Sequence, residues 1–292
     1  MSKKTSILAR LALVTATVIW GYSFVLMKNT LDSVPSFFLL AIRFSMATIV
    51  LSIIFLPKWK KFDRSYLLHG SIMGFFLFAA YAFQTVGLIF TTPGKNAFLT
   101  AIYCIIVPFL NWAVTRKRPG VTNLVAALLC VIGVWFVSVN SAAEGGVNIG
   151  DLLTMVCGFL FACHIIAVNR FSNDQDVILL TIIQFGSAAV FSWICGFGFE
   201  TFPSHFSAGA ITSLLYLGIL STAFALLLQN VGQKYTPPSS AALILSLEAV
   251  FGVIFSVIFA GDKMTLRLTL GFGLIFAALI ISEALPVKKN NK

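Results

Sequence analysis

Two ionisable side chains lie deep within apolar stretches of this 292-residue sequence, and they are the first candidates for chemistry. Glu248 is about ten residues into the apolar run 237–260, and Arg43 is about seven residues into the run 36–56. A charge at such a position is costly unless it is paired, protonated or in contact with water. We interpret Glu248 as a proton-coupling group or an acceptor for an amine, with a hydrogen-bonded packing carboxyl as the alternative. Arg43 could contact a carboxylate, but snorkelling or capping of carbonyl groups is the favoured interpretation.

Two aromatic residues each have a polar residue three positions later. Trp20 and Ser23 form one pair, and Phe161 and His164 form the other. Residues three apart share a face of an α-helix, so the sequence predicts two related patches. A histidine titrates near neutral pH, and His164 could therefore assist Glu248 in proton exchange. A packed, hydrogen-bonded core histidine is the alternative.

A polar stripe follows the Thr-Thr-Pro segment at 91–93. Asn96, Thr100 and Tyr103 occupy positions i, i+4 and i+7, which places them on one helix face. We interpret the stripe as the lining of a pocket. Hydrogen bonding between helices is the alternative. Pro108 lacks a backbone N–H group and predicts a kink further along the same helix.

Some other residues receive purely structural interpretations. Gly70 and Gly74 form a GxxxG pattern, which predicts close packing of helices. Gln84 and Gln229 precede Thr-Pro turns and are expected to brace those turns.

No pattern typical of an enzyme or a metal site is present. The five cysteines all lie in apolar runs without CxxC spacing, so we expect packed thiols. The three histidines are too far apart for a metal motif or a triad with Ser and Asp. A P-loop is also missing, which argues against primary ATP-driven transport. We therefore expect no enzymatic activity, no cofactor and no metal.

The elements that carry these residues are apolar and long. The chain is 59% hydrophobic and only 10% charged, with a mean hydropathy of +0.96. A soluble domain has about a quarter charged residues, so this chain lacks the polar surface of a globule in water. Ten runs approach the length that spans a bilayer, at about 7–28, 36–56, 67–90, 95–114, 121–139, 150–169, 177–199, 209–230, 237–260 and 266–285. These runs leave no room for a soluble catalytic or nucleic-acid-binding domain.

The net charge of +10 is distributed unevenly between the predicted loops. With the N-terminus in the cytoplasm, fifteen Lys and Arg residues fall on the cytoplasmic side and four on the other side. The four are Lys28, Lys95, Lys263 and Arg267. This is the asymmetry of the positive-inside rule, and an even number of spans places both termini in the cytoplasm.

The sequence also contains an internal repeat. At an offset of 145, residues 84–97 align with residues 229–242 with six identities in fourteen positions, and Tyr103 aligns with Glu248. At an offset of 141, residues 39–48 align with residues 180–189 with four identities in ten. Each copy would contain five helices, and two copies with an odd number of helices must insert in opposite orientations.

Several motifs in the chain form a recognisable set. They are Trp20-Gly21-Tyr22-Ser23-Phe24, Arg43-Phe44, TTPGKNAFLTAIYCIIVPFL at 91–110, and TPPSSAALILSLEAVFGVIF at 236–255 followed by Gly261-Asp262. Together they resemble the EamA-type family of the drug/metabolite transporter superfamily. The resemblance covers about residues 7–285. Two departures stand out. Arg116-Lys117 replaces a frequent Gly-Glu after the fourth helix, and Glu248-Ala249 replaces the usual Glu-Pro of the ninth.

We therefore expect an all-α membrane protein with ten transmembrane helices. They would form two inverted five-helix repeats, over residues 1–145 and 146–292, with both termini cytoplasmic. The resemblance implies a secondary transporter that alternates access to a central cavity lined by the first, third, fourth, sixth, eighth and ninth helices. Its expected substrate is a small polar or amphipathic metabolite, with an amino acid as the first candidate and proton coupling by Glu248 and His164.

The expected substrate-binding residues are Trp20, Tyr22, Ser23, Thr100, Tyr103, Phe161, His164 and Glu248, with Arg43 as a contact for a substrate carboxylate. A carrier of drugs or nucleobase-like compounds, or a component of a lipid-linked flippase, is the alternative. We expect a monomer in the cell membrane, in contact with lipid and a small-molecule substrate and without a nucleic-acid partner.

Overall fold

The computed structural model describes residues 3–116, 118–138 and 148–284, and their regular elements are all helical. The α-helices are α1 (Lys3–Thr30), α2 (Ser36–Ile54), α3 (Arg64–Ile89), α4 (Pro93–Thr100), α5 (Tyr103–Thr115), α6 (Val121–Ser138), α7 (Ile149–Phe171), α8 (Val177–Phe199), α9 (Ala208–Leu215), α10 (Ala225–Lys234), α11 (Pro238–Leu245), α12 (Leu247–Phe255) and α13 (Leu266–Ala284). A 3-10 helix covers Leu56–Lys61, and π-helical segments cover Tyr216–Phe224 and Ser256–Ala260. Lys117, the basic C-terminal tail and the division at 145/146 lie outside the described residues.

Eight helical stretches in the described part of the chain are long and apolar enough to cross a membrane. They are Lys4–Thr30, Ser36–Ile54, Arg64–Ile89, Pro93–Thr115, Ile149–Phe171, Val177–Phe199, Ala208–Lys234 and Pro238–Ala260. Two shorter apolar helices, Leu124–Val137 and Leu266–Ala278, occupy the places of the fifth and tenth predicted spans. The all-α membrane architecture is confirmed, with eight full-length spans and two shorter helices where the sequence predicts ten spans. The orientation of the termini stays a prediction.

Two of the spans are interrupted at matching positions of the repeat. The interruptions fall between α4 and α5 and between α11 and α12, and Ala101 in the first aligns with Ser246 in the second at the 145 offset. The backbone tightens at both points to hydrogen bonds between residues three apart. Cys104 N–H donates to the Ala101 carbonyl, and Ala249 N–H donates to the Ser246 carbonyl, both at 3.0 Å.

These interruptions differ from the kink that the sequence predicts at Pro108. The break in the first repeat lies well before Pro108, and Val253 takes the aligned position in the second repeat. Proline is therefore not required for the shared break. Because each span breaks at this point, Tyr103 and Glu248 lie in the first turns of α5 and α12. The free N–H groups of a helix N-terminus carry partial positive charge, which favours a carboxylate there.

The helices of the two repeats pack against one another along the middle of the molecule. Helix α3 packs against α7 and α8, α2 packs against α8, and α1 packs against α10 and α12. Helices α6 and α13 form a further pair. Since most of these pairs join one repeat to the other, residues near the interface come from both copies.

The GxxxG pattern lies at one of these contacts, and its predicted role in close packing is confirmed. A Cβ atom added to Gly70 would lie 2.5 Å from Ile183 Cγ2 in α8. A Cβ atom added to Gly74 would lie 2.6 Å from the backbone oxygen of Gln184. Both distances are far inside van der Waals contact, so α3 and α8 can approach this closely only with glycine at these positions.

Gly74→Ala is therefore expected to destabilise the protein. The added methyl group meets backbone, which cannot rotate away, and overpacking of this kind costs about 1–3 kcal/mol. The measurement is the apparent melting temperature of the purified protein in detergent. Gly198→Ala in α8 is the matched control, because no heavy atom lies within 4 Å of its added Cβ. Equal melting temperatures for both variants would contradict the proposed close contact.

A polar cluster joins the two repeats where the segment Leu56–Lys61 meets the N-terminus of α8. Asp176 caps α8 by accepting from Ile178 N–H at 3.1 Å, and its carboxylate lies 2.6 Å from Lys58 Nζ and 3.9 Å from Lys61 Nζ. The backbone N–H of Asp176 donates to the Tyr66 hydroxyl at 3.0 Å. Partial burial acts to raise the pKa of Asp176, but the hydrogen bonds from Lys58 and Ile178 outweigh it and lower the pKa below 3.8.

Asp176→Ala is expected to lower stability by about 1–2 kcal/mol at neutral pH through loss of the helix cap. Asp176→Asn keeps a capping oxygen and should lose less. The pKa of Asp176 is lower in the folded protein than in the unfolded chain. The stabilisation that its negative charge supplies is therefore fully present above the ordinary carboxyl pKa, and it is lost as the pH falls through the pKa of the folded protein. Thermal melting of both variants between pH 3 and pH 7 measures the effect; identical melting of Asn and Ala variants at pH 7 would contradict the capping role.

Candidate functional site

A narrow cavity lies between the two repeats. Its lining comes from α1, α2, α3, α5, α7, α10, α11, α12 and the π-helical segment 216–224. The lining residues are Trp20, Ser23, Phe24, Met27, Arg43, Tyr81, Gln84, Tyr103, Phe161, Ile165, Ser221, Gln229, Leu245 and Glu248. The cavity volume is about 30 Å³, which is room for about two waters. A larger molecule can enter only if lining side chains or helices move.

Glu248 lines this cavity with its side chain almost fully buried. It is 5% exposed, and the Tyr103 hydroxyl lies beside its carboxyl group. Among the residues that the structure describes, no Lys, Arg or His nitrogen lies within 4.0 Å of that carboxyl. The carboxyl group therefore has no cationic partner in the described part of the chain, and its polar neighbour is the Tyr103 hydroxyl.

Arg43 reaches the same cavity from α2 and is 1% exposed. Its Nε donates to Thr222 Oγ1 at 2.8 Å, and its Nη2 donates to Ser221 Oγ at 3.2 Å. The guanidinium also lies over the Tyr81 ring, 4.6 Å from the centroid. Hydroxyl groups and a ring face solvate the cation without neutralising it, and no carboxylate in the described residues lies within 4.0 Å of it.

The partners of Arg43 belong to a π-helical segment, whose wider turns are often found at functional sites. Trp20 Nε1 donates to the Ser221 carbonyl at 2.9 Å, and the Thr222 hydroxyl donates to the Leu217 carbonyl at 2.6 Å. Two side chains of the first repeat therefore hold a non-standard segment of the second repeat. Arg43 therefore has a structural role, but not the predicted one: it is too buried to snorkel, and its Nε and Nη2 donate to hydroxyl groups and not to carbonyl groups. Its position in the cavity also places it beside any molecule that binds there.

The cavity lies where aligned positions of the two repeats meet. Four lining pairs follow the repeat offsets of 141 and 145: Trp20 with Phe161, Phe24 with Ile165, Gln84 with Gln229, and Tyr103 with Glu248. The rings of Tyr81, Phe161 and Tyr103 form one wall, with Phe161 centred 5.3 Å from Tyr81 and 6.4 Å from Tyr103. Among these pairs, only Tyr103 and Glu248 differ in polar chemistry, so the repeat places a phenol at one position and a carboxyl group at its counterpart.

Six of the nine residues singled out from the sequence line the cavity together: Trp20, Ser23, Arg43, Tyr103, Phe161 and Glu248. Tyr22 lies elsewhere, among the rings of Tyr216, Phe255 and Phe259 at centroid distances of 5.4–5.8 Å. Thr100 is one layer behind the lining and accepts a hydrogen bond from Gln84 Nε2 at 3.1 Å.

His164 is also outside the lining. It is fully buried, and its Nε2 lies 3.0 Å from Gln184 Oε1 in α8. This contact is the one expected of a packed, hydrogen-bonded histidine. The described residues show no direct contact between His164 and Glu248. The predicted assistance of His164 in proton exchange stays a prediction.

Other lining residues were not singled out from the sequence as site residues. Gln84 and Gln229 are identical at aligned positions of the repeat, and this identity is a signal that could have marked them. Tyr81, Met27 and Ser221 offer no such signal, because their place in the cavity depends on how α1, α3 and the π-helical segment are rotated. No group of three or more His, Cys, Asp or Glu residues in the described ranges could hold a metal ion.

Comparison with known proteins agrees with this architecture. The sequence pattern of the EamA-like transporter family matches residues 7–139 and 148–283. A protein of Archaeoglobus fulgidus named an uncharacterized transporter is 34% identical over 274 residues, which cover 94% of this chain and 85% of that protein. The threonine/homoserine exporter RhtA of Escherichia coli K12 is 24% identical over 260 residues, covering 86% and 83% of the two chains.

A solved crystal structure shares the fold. It superposes with a TM-score of 0.71 at 19% identity and covers 94% of this chain and 96% of its own. The family match extends over most of the sequence and over both repeats, and the apolar helices require a bilayer. The chain therefore belongs to the EamA-like transporter family, as a multi-pass membrane transporter and not an enzyme.

Proposed function

We propose that this transporter moves a small zwitterionic metabolite, with an amino acid as the first candidate, by alternating access through the cavity between its repeats. The single observation that carries the proposal is that one basic and one acidic side chain line the same cavity without ion-pair partners. Arg43 and Glu248 both line it, and neither has an ion-pair partner within 4.0 Å among the described residues. A zwitterion supplies both missing charges at once.

The chemistry of recognition follows from these two groups. The substrate carboxylate would bind the guanidinium of Arg43, which offers paired N–H donors suited to a carboxylate. The substrate ammonium would bind the carboxylate of Glu248. A buried charge without a counter-charge is unfavourable, so filling both positions favours the bound state. Trp20, Tyr81 and Phe161 would contact the apolar part of the substrate.

Proton coupling would follow from competition at Glu248. A proton and an ammonium group cannot both occupy the carboxylate, so arrival of one displaces the other. Such exchange would link substrate movement to a proton gradient. The Tyr103 hydroxyl beside Glu248 would support either state, because a hydroxyl can donate to a carboxylate or accept from a protonated carboxyl.

Alternating access is supported by the position and size of the cavity. The cavity lies where aligned positions of the two repeats meet. An odd number of helices in each repeat would make the repeats inverted, and many secondary transporters have inverted repeats with a central binding site. A volume of about 30 Å³ is too small for an amino acid, so lining side chains or helices must move during transport. The movement that we propose is that of the halves, 1–145 and 146–292, relative to each other. The likeness to RhtA, named as a threonine/homoserine exporter, supports an amino acid as substrate.

The test is counterflow in proteoliposomes that contain the purified protein. A mixed pool of labelled amino acids is compared with nucleobases, aromatic drugs and a fluorescent lipid. Accumulation of amino acids that an amino-acid competitor abolishes is the expected result. Exclusive accumulation of neutral heterocycles, or movement of lipid without movement of soluble solutes, would overturn the proposal in favour of a drug carrier or a flippase.

A further inference from the structure

A second and larger cavity lies on the outer surface of the helix bundle, away from the central site. It has a volume of about 340 Å³ and lies between α2, α3 and α8. Its lining includes Trp59, Leu67, Ser71, Gly186 and Val190, none of which lines the central cavity. Leu67 is 49% exposed and Val190 is 56% exposed, so this groove is open to the surroundings of the helices.

The surroundings of the groove are the hydrocarbon of the bilayer. All three helices that form it are apolar membrane-spanning stretches. Its lining on α8 extends from Ile182 to Phe191, which at 1.5 Å per residue is a length of about 14 Å. One leaflet contributes about half of the 30 Å hydrocarbon thickness. The groove therefore matches the depth of one leaflet, a length that suits an acyl chain.

Positive charge lies at one end of the groove. Arg64 is three residues before Leu67 and seven before Ser71, so it shares their face of α3 one turn beyond the groove. Lys60 is next to Trp59. Both cations are exposed. Neither has an acidic partner within 4.0 Å in the described part of the chain, whereas their neighbours Lys58 and Lys61 lie near Asp176.

We infer that this groove is a binding site for one anionic phospholipid. An acyl chain lies along α3 and α8, and the headgroup phosphate meets Arg64 and Lys60 at the membrane surface. The positive-inside count places these residues in the leaflet that faces the cytoplasm, where anionic lipids attract basic side chains. Trp59 lies at the level between the acyl chain and the headgroup, which is the level that tryptophan prefers.

Gly186 keeps the groove open. A Cβ atom added there meets only Thr48 Cγ2, at 3.7 Å, which is ordinary contact distance. A larger side chain at this position can therefore be accommodated by the helix packing while it occupies the groove. Gly186→Leu is a filling variant that should fold normally.

The experiment is native mass spectrometry of the full-length protein released from detergent with equal amounts of phosphatidylglycerol and phosphatidylcholine. The wild type is expected to retain one phosphatidylglycerol in preference to phosphatidylcholine. Lys60→Gln with Arg64→Gln should weaken this retention about thirtyfold, since each surface cation contributes about a fivefold effect. Gly186→Leu should weaken retention of both lipids. The readout requires no transport assay.

Two matched controls separate a site from general lipid adhesion. Lys4→Gln with Arg10→Gln removes the same charge from α1, and Gly198→Leu adds the same side chain to α8 at a position with no atom within 4 Å. Both controls should retain phosphatidylglycerol like the wild type. The inference would be overturned if a control lost as much phosphatidylglycerol as the variant it is matched to. It would also be overturned if Gly186→Leu retained phosphatidylglycerol as fully as the wild type.

Discussion

Glu248→Gln is expected to abolish coupled transport while the protein still folds and inserts. Glutamine keeps the size and a hydrogen-bonding oxygen beside Tyr103, but it can neither bind an ammonium group ionically nor exchange a proton. Loss of one partner from a buried ion pair costs about 3–5 kcal/mol, so counterflow of an amino acid should fall by roughly a hundredfold or more. The measurement is counterflow in proteoliposomes between pH 5.5 and pH 8.

The control for this prediction is Asp174→Asn, which removes a carboxylate from an exposed loop position. It should transport like the wild type. Size-exclusion profiles and melting temperatures of both variants show whether they fold. A Glu248→Gln protein with normal, pH-dependent counterflow would contradict the roles assigned to this carboxyl group in binding and in proton exchange.

Arg43→Gln is expected to reduce amino-acid transport by roughly a hundredfold, because the substrate carboxylate loses its counter-charge. The decisive measurement compares an amino acid with the amine that lacks its carboxylate. In the wild type the amino acid should be the better substrate. In the variant this preference should disappear, because the amine never used Arg43.

A second variant separates recognition from anchoring, since Arg43 also holds Ser221 and Thr222 of the π-helical segment. Ser221→Ala with Thr222→Val removes both hydroxyl partners and keeps the guanidinium. This variant should keep its preference for the amino acid over the amine even though its stability falls. Hydrogen bonds to a charged group are worth about 1.5–3 kcal/mol each, but the guanidinium that binds the substrate carboxylate is still present. Equal losses for the amino acid and the amine in Arg43→Gln would leave Arg43 with an anchoring role alone.

Much of the site could be predicted from the sequence because charge inside an apolar run is visible in one dimension. Glu248 and Arg43 stand out in this way, and both line the cavity. The face shared by Trp20 and Ser23 follows from helical periodicity alone. Tyr103 was indicated by its alignment with Glu248 across the repeat.

The prediction of the site and of the helix breaks was weaker where the outcome depends on which other helix a residue contacts. Thr100 and His164 occupy helical faces next to the cavity, but their hydrogen bonds go to Gln84 and Gln184. Pro108 indicated a kink within α5, but no local residue indicated the break that both repeats share at the aligned positions of Ala101 and Ser246. These outcomes depend on the partner that each helix meets, and a partner distant in sequence leaves no local pattern.

The sequence by itself determined residence in a membrane, the repeat and the family resemblance, because hydropathy, residue spacing and motif identity are properties of the chain alone. The tertiary structure decided which side chains share the cavity, since Tyr81, Ser221 and Glu248 are separated by long stretches of chain and meet only through helix packing. It also decided that Arg43 and Glu248 remain without ionic partners in the described residues. Pairing of buried charges is a matter of distances of a few ångströms between helices, which the order of residues does not specify.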